Sequence, residues 1–144
     1  MLFDTNVWIA LLLTTHPNHA RARGYYVGLD EHAVVLLAQS VRISVLRLLT
    51  TPTLQRSYGT GPISNTTAHQ IVESLVRAPR VRSLSEPADL FESWSDLVGH
   101  SLPDPQRWMD VYLCALARHA GVPLVTFDRA LAAFRDHGVD VVVL

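Results

Sequence analysis

The chain has no lysine: all twelve of its basic residues are arginine. A phosphate-loop nucleotide hydrolase needs a Lys at the end of a Gly-rich loop, so that class is disfavoured. Arginine's planar fork still suits bidentate contacts to phosphate. Cysteine is nearly absent. Cys114 alone rules out an intrachain disulfide, and its apolar helical surroundings read as a buried thiol. The longest apolar run, Val7 to Leu13, is too short to span a bilayer, and the N-terminus lacks the basic region of a signal peptide. A net charge of −1 supplies no global basic field. No acid occurs between Glu31 and Glu73. What remains is the expectation of a cytoplasmic globular protein, its 144 residues forming one domain over 1–144.

What is present starts at once. Met1-Leu2-Phe3 runs straight into Asp4-Thr5-Asn6 and then into an apolar helix through Leu13. So short a strand reads as an interior one that delivers Asp4 to its carboxyl end, the edge where open α/β sheets bind ligands. Asp4 could instead serve only as a helix cap, and Thr5 or Asn6 could cap as well. His16-Pro17-Asn18-His19 interrupts the helix. We read it as a helix start capped by Asn18, in preference to a His–His metal site, because no carboxylate stands beside it. That helix runs from His19 to about Leu29.

Ala33 to Ala38 reads as a buried strand, followed by a helix from Val41 to Leu49 with Arg42 in its first turn. Thr51 to Gly61 reads as a loop broken by Pro52, Gly59 and Gly61. A helix capped at Ser64 and Asn65 extends to about Arg77. Val81 to Ser85 is a strand, and Ala88 to about Gly99 a helix with Leu90, Phe91, Trp94, Leu97 and Val98 on its apolar side. Gln106 to His119 is a nearly apolar helix that carries Asp110 near its start. Leu124 to Phe127 is a strand ending at Asp128, which caps a helix from Arg129 to Asp136. Gly138 stops that helix, and Val139 to Leu144 is the last strand. The alternation argues for a three-layer α/β/α domain with a mainly parallel five-stranded sheet.

Three acids can therefore reach one edge of the sheet: Asp4 and Asp128 at strand tips, and Asp110 at a helix start. Carboxylates crowded together need a counter-cation, and hard oxygen ligands suit Mg²⁺ or Mn²⁺. Such a metal can lower the pKa of a water and steady a leaving oxygen.

The sequence resembles a PIN domain of the VapC type, the toxin ribonuclease of a bacterial type II toxin–antitoxin pair. The resemblance covers nearly the whole chain. It lies in Leu2-Phe3-Asp4-Thr5-Asn6 with Trp8-Ile9-Ala10-Leu11, His16-Pro17 with His19 and Ala20, and Leu46-Arg47-Leu48-Leu49-Thr50 with Pro52. It continues in Trp108-Met109-Asp110-Val111-Tyr112-Leu113 with Ala115, and in Leu124-Val125-Thr126-Phe127-Asp128. The resemblance implies a Mg²⁺-dependent endoribonuclease that leaves a 5′-phosphate and a 3′-hydroxyl. Asp4, Asp110 and Asp128 would be the metal ligands, and Asn6 or Thr5 a polar group orienting water. It also implies a homodimer, a VapB-type antitoxin partner, and a transfer or ribosomal RNA as substrate. Arg21, Arg23, Arg47 and Arg129 are candidate phosphate contacts, and Trp108 a candidate base-stacking residue.

One departure from the family pattern stands out. A Glu usually opens the helix after the second strand, and counting back from Leu46-Arg47 puts that position at Arg42. A reversed charge about 5 Å from a metal costs on the order of 3 kcal/mol per unit charge at an effective dielectric near 20, unless the side chain turns outward. Weakened metal binding is therefore the expectation. Asp104 or a water filling the gap, a degenerate site, or a deliberate disabling change would each account for Arg42. Two other functions compete. A non-catalytic RNA- or protein-binding module is favoured by Arg42. A phosphotransfer enzyme with Asp4 as nucleophile is opposed by the missing lysine and by Asn6 in place of a second acid.

Overall fold

A computed structural model describes residues 1–98, 105 and 107–144. Five parallel strands form one sheet in the order β3-β2-β1-β4-β5. They are β1 (Leu2–Phe3), β2 (Val35–Ala38), β3 (Val81–Leu84), β4 (Leu124–Thr126) and β5 (Val141–Val143). The shortest strand is the central one. Leu2 and Phe3 are wholly buried, because a strand paired on both sides and covered on both faces can carry only apolar side chains.

The chain leaves β1 towards β2 and β3, then returns to the other side of β1 for β4 and β5. Right-handed crossovers in opposite directions put their helices on opposite faces. One layer holds α1 (Thr5–Leu12), α2 (His19–Val27), α3 (Gln39–Leu49), α4 (Pro52–Tyr58) and α5 (Asn65–Arg77). The other holds α6 (Ser95–Val98), α7 (Arg107–His119) and two 3₁₀ segments, Leu90–Trp94 and Arg129–His137. The order of the sheet reverses at β1, so the crevice beyond its carboxyl end is the place for a ligand in such a fold. The next residue is Asp4. No described helix is long and apolar enough to cross a membrane.

Several local expectations change. The segment read as a loop over Thr51 to Gly61 contains α4. Pro52 occupies its first turn, where a missing N–H costs nothing and the fixed φ favours the helix. Gly59, at φ +60°, ends it. The helix expected from Ala88 is instead a 3₁₀ segment followed by the short α6. Side chains take the carbonyls that a continuous α-helix would have used: Ser93 Oγ donates to the Leu90 carbonyl at 2.7 Å, and Arg118 donates to the Ser93 carbonyl at 2.8 Å. This turns Phe91 out to solvent, 76% exposed, while Leu90 and Leu97 stay buried. The helix after Asp128 is likewise 3₁₀. Ser64 caps α5 by accepting the Thr67 N–H. Asn18 does not cap α2 with its side chain; its N–H is bound by His16 Nδ1. The expected helix ends at Gly99 and Gln106, and the reading of Asp104 as a substitute acid, lie outside the described residues.

Phe3 packs against Trp8, Tyr25 and Tyr26 at ring-centroid distances of 5.4, 6.1 and 6.4 Å. It thus fixes β1 against α1 and α2. Phe3→Ala should destabilise the protein by about 3–5 kcal/mol, read as a lower urea midpoint with an unchanged m-value.

Candidate metal and RNA site

Asp4 stands at the N-cap position of α1 with extended backbone, yet its side chain makes no capping bond. Neither Thr5 nor Asn6 caps the helix; both lie within it. The Asp4 carboxylate is held across the sheet. Thr126, buried on β4, donates its hydroxyl to Asp4 Oδ2 at 2.7 Å. Asn6 Nδ2 donates to the same oxygen at 2.6 Å and to Thr126 Oγ1 at 3.0 Å. Asn6 Oδ1 accepts the Phe127 N–H, and Thr126 Oγ1 accepts the Asp128 N–H. Asn6 therefore spans the tips of β1 and β4, which are paired through Leu2↔Leu124 and Phe3↔Val125. Sequence reasoning missed Thr126. Its one available signal was a polar residue closing an apolar strand just before Asp128.

Asp128 is exposed at the tip of β4, and one of its oxygens accepts the Ala130 N–H at 2.8 Å. It serves as the expected cap, of a 3₁₀ turn. Asp110 is half-buried in the first turn of α7, where a negative charge favours the helix dipole. Electrostatic effects link Asp4 to Asp128, and Asp4 and Asp110 each to Cys114. Burial pushes the Asp4 pKa up, the hydrogen bond from Thr126 opposes the rise, and repulsion from Asp128 adds to it. Burial and then the charges of Asp110 and Asp4 push the Cys114 thiol up to about 12. Asp4 thus interacts with Asp128, and the fields of Asp4 and Asp110 meet at Cys114.

Among the described residues, no three His, Cys, Asp or Glu side chains form a ready-made metal cage. The donor set nevertheless suits Mg²⁺, which is typically held by one or two carboxylates with waters and substrate phosphates completing its shell. A desolvated, mutually repelling pair of carboxylates is what such a cation would relieve.

The structure shows where Arg42, the position read as the family's Glu, directs its side chain. Arg42 turns away from Asp4, donates to Ser83 Oγ on β3 and lines a separate cavity with Ile43, His69 and Glu73. From α3, the residues that share the Asp4 cavity are Ser44, Arg47 and Leu48. Successive helical residues are rotated by about 100°, so Arg42 and Ser44, two positions apart, point to nearly opposite sides of α3. With Arg42 directed at Ser83, its side chain takes the outward course that avoids the charge penalty.

Arg47 is exposed and lines this cavity, as do His16, Tyr58 and Met109. Arg21, Arg23 and Arg129 are exposed but do not line it. Trp108, next to Met109, is 52% exposed, and its ring stacks on Trp94.

Comparisons with known proteins bear on the family and the fold. The PIN domain family model matches residues 1–136. Ribonuclease VapC41 of Mycobacterium tuberculosis is 33% identical over 135 residues, covering 93% of this chain and 92% of that protein. Among solved structures, M. tuberculosis VapC20, described as a Sarcin-Ricin loop cleaving toxin, superimposes with a TM-score of 0.68 at 22% identity, over 92% of both chains. VapBC-1 from nontypeable Haemophilus influenzae gives 0.63 at 14% identity, over 99% of this chain and 96% of that one.

The raised Asp4 pKa has a defined effect on stability. The folded protein holds that proton more tightly than the unfolded chain, so stability is lost as pH rises from the ordinary 3.8 through the raised folded value. In chelator, Asp4→Asn should raise the urea midpoint at neutral pH, and the gain should shrink away below pH 3.8. By its sequence match and its fold together, the chain belongs to the PIN-domain family, in its VapC-type branch.

Proposed function

We propose that this single PIN domain is a divalent-metal-dependent endoribonuclease, the toxin of a toxin–antitoxin pair. It would act in the cytoplasm on a structured transfer or ribosomal RNA. The observation that carries the reading is the Asp4 carboxylate, fixed by Thr126 and Asn6 at the reversal point of the sheet, with Asp128 close enough to raise its pKa. A 33% identical relative that is named a ribonuclease supports the same activity. A structural neighbour that is a VapBC complex supports a VapB-type antitoxin as partner. A homodimer is the assembly we expect from family membership.

In this reading Asp4, Asp110 and Asp128 hold Mg²⁺ or Mn²⁺. Bound there, the ion supplies Lewis acidity, which makes a water nucleophilic at neutral pH and steadies the leaving oxygen. The protein's own part is orientation. Thr126 and Asn6 fix the plane of the Asp4 carboxylate before any substrate arrives, so no reorganisation is needed during the reaction. Arg47, the cation of the cavity, offsets the acids' repulsion of the RNA backbone and binds phosphate.

Asp4→Asn should lower RNA cleavage by about 100-fold or more, since metal catalysis supplies several kcal/mol and each 1.36 kcal/mol is tenfold. It should also abolish the heat of Mn²⁺ binding in calorimetry. Cleavage that persists in excess chelator would sink the metal-dependent reading. Arg42→Ala, by contrast, should leave both Mn²⁺ affinity and cleavage within about twofold, the range of a surface substitution. A large change in either would return Arg42 to the metal site.

A further inference from the structure

The cavity that opens on Asp4 has a second wall, and hydrolysis by the acids leaves most of it unused. The cavity measures about 460 Å³, within the usual range for small-ligand sites. Arg47 on α3, Tyr58 at the end of α4 and His16 between α1 and α2 line this wall. The His16 and Tyr58 ring centroids lie 4.7 Å apart at an interplanar angle of 34°, so the two rings pack against each other and both border the cavity. Thr15 Oγ1 donates to the Tyr58 carbonyl at 2.5 Å and pins the two segments together. His16 Nδ1 accepts the Asn18 N–H at 3.0 Å, so the neutral ring carries its proton on Nε2 as a donor. Arg47 is exposed and forms no ion pair with a described residue.

One cavity thus offers the Asp4 carboxylate, a guanidinium that forms no ion pair with a described residue, and a half-buried aromatic pair with a ring donor. Those parts complement a nucleotide: its phosphates and its base. A base within a duplex has both faces covered, whereas an unstacked base can lie on aromatic rings. An apolar peptide would leave Arg47 without a counter-charge.

We propose that the Tyr58–His16 wall is a base-binding subsite. An unpaired base next to the bond to be cut stacks on this pair, while Arg47 binds an adjoining phosphate. The inference rests on the nuclease reading of the Asp4 end. It adds that the substrate presents an unstacked nucleotide at the cut site, so a regular duplex is a poor substrate.

The test uses the full chain titrated with 5′-AMP and with ribose 5-phosphate, followed by amide chemical shifts. AMP should bind about tenfold tighter than the baseless sugar phosphate, the effect of one stacked base. Tyr58→Leu should remove that preference, Tyr58→Phe should keep it, and Arg47→Ala should weaken both ligands. If Tyr58→Leu fails to fold by circular dichroism, His16→Ala replaces it and should lower the preference in the same direction. The proposal is overturned if the parent shows no preference for AMP, including no detectable binding of either ligand. It is equally overturned if the preference survives in the folded variant. A folded Tyr58→Leu protein that keeps its KM for single-stranded RNA would also overturn it and assign the wall to a peptide. Failures of the two readings look different. Cleavage lost in Asp4→Asn without an AMP preference upholds the nuclease and removes the subsite. A Tyr58-dependent AMP preference in a protein that cuts no RNA upholds the subsite and removes the nuclease.

Discussion

Two hydrogen bonds to one oxygen hold the carboxyl edge of the central strands together. Thr126 and Asn6 both donate to Asp4 Oδ2, and through them the tip of β1 is tied to the tip of β4. The charge they hold is costly, because burial disfavours the ionised carboxylate. The rest of the fold supports that arrangement. Leu2 and Phe3 are buried at the centre of the sheet, Phe3 is packed against three rings from α1 and α2, and α1 begins at the residue after Asp4. The acid has almost no local freedom. Stability is given up at this point in exchange for a carboxylate already in position, as is common at functional sites.

Much of this was legible in the sequence where periodicity and strand ends agree. An apolar pair running into Asp4, and an apolar strand closing on Asp128, identified the central strands and the edge they share. Ser64 and Gly138 marked element ends that the structure keeps. Other features were hidden for specific reasons. Pro52 reads as a breaker unless its position in the turn is known, and at the first turn it promotes a helix. Ser93 and Arg118 interrupt a helix that apolar spacing alone would continue, because spacing does not register side chains that compete for backbone carbonyls. Thr126 looked like an ordinary β-former; its hydroxyl matters only because of what lies on the neighbouring strand.

Arg42 and Ser44 show how a helix separates residues close in sequence. Two positions apart, they face different cavities, one towards β3 and α5, the other towards Asp4. A motif aligned on Leu46 and Arg47 locates the helix but not the direction in which each of its side chains points. Only the packing of α3 against α1 decides which residue meets the acid. Four side chains then share one wall or another of a single cavity although they come from distant parts of the chain: Asp4, His16, Arg47 and Tyr58. Tyr58 joins the group through α4, the element that sequence reading took for a loop.

Cys114 carries a last consequence of the acids above it. Burial, and then the charges of Asp110 and Asp4, push its pKa up to about 12, so the thiol stays protonated at neutral pH, and the thiolate is the form that attacks peroxides and disulfides. Burial in the core, reinforced by the negative field of the two acids, therefore keeps the chain's one sulfhydryl out of reach of oxidants.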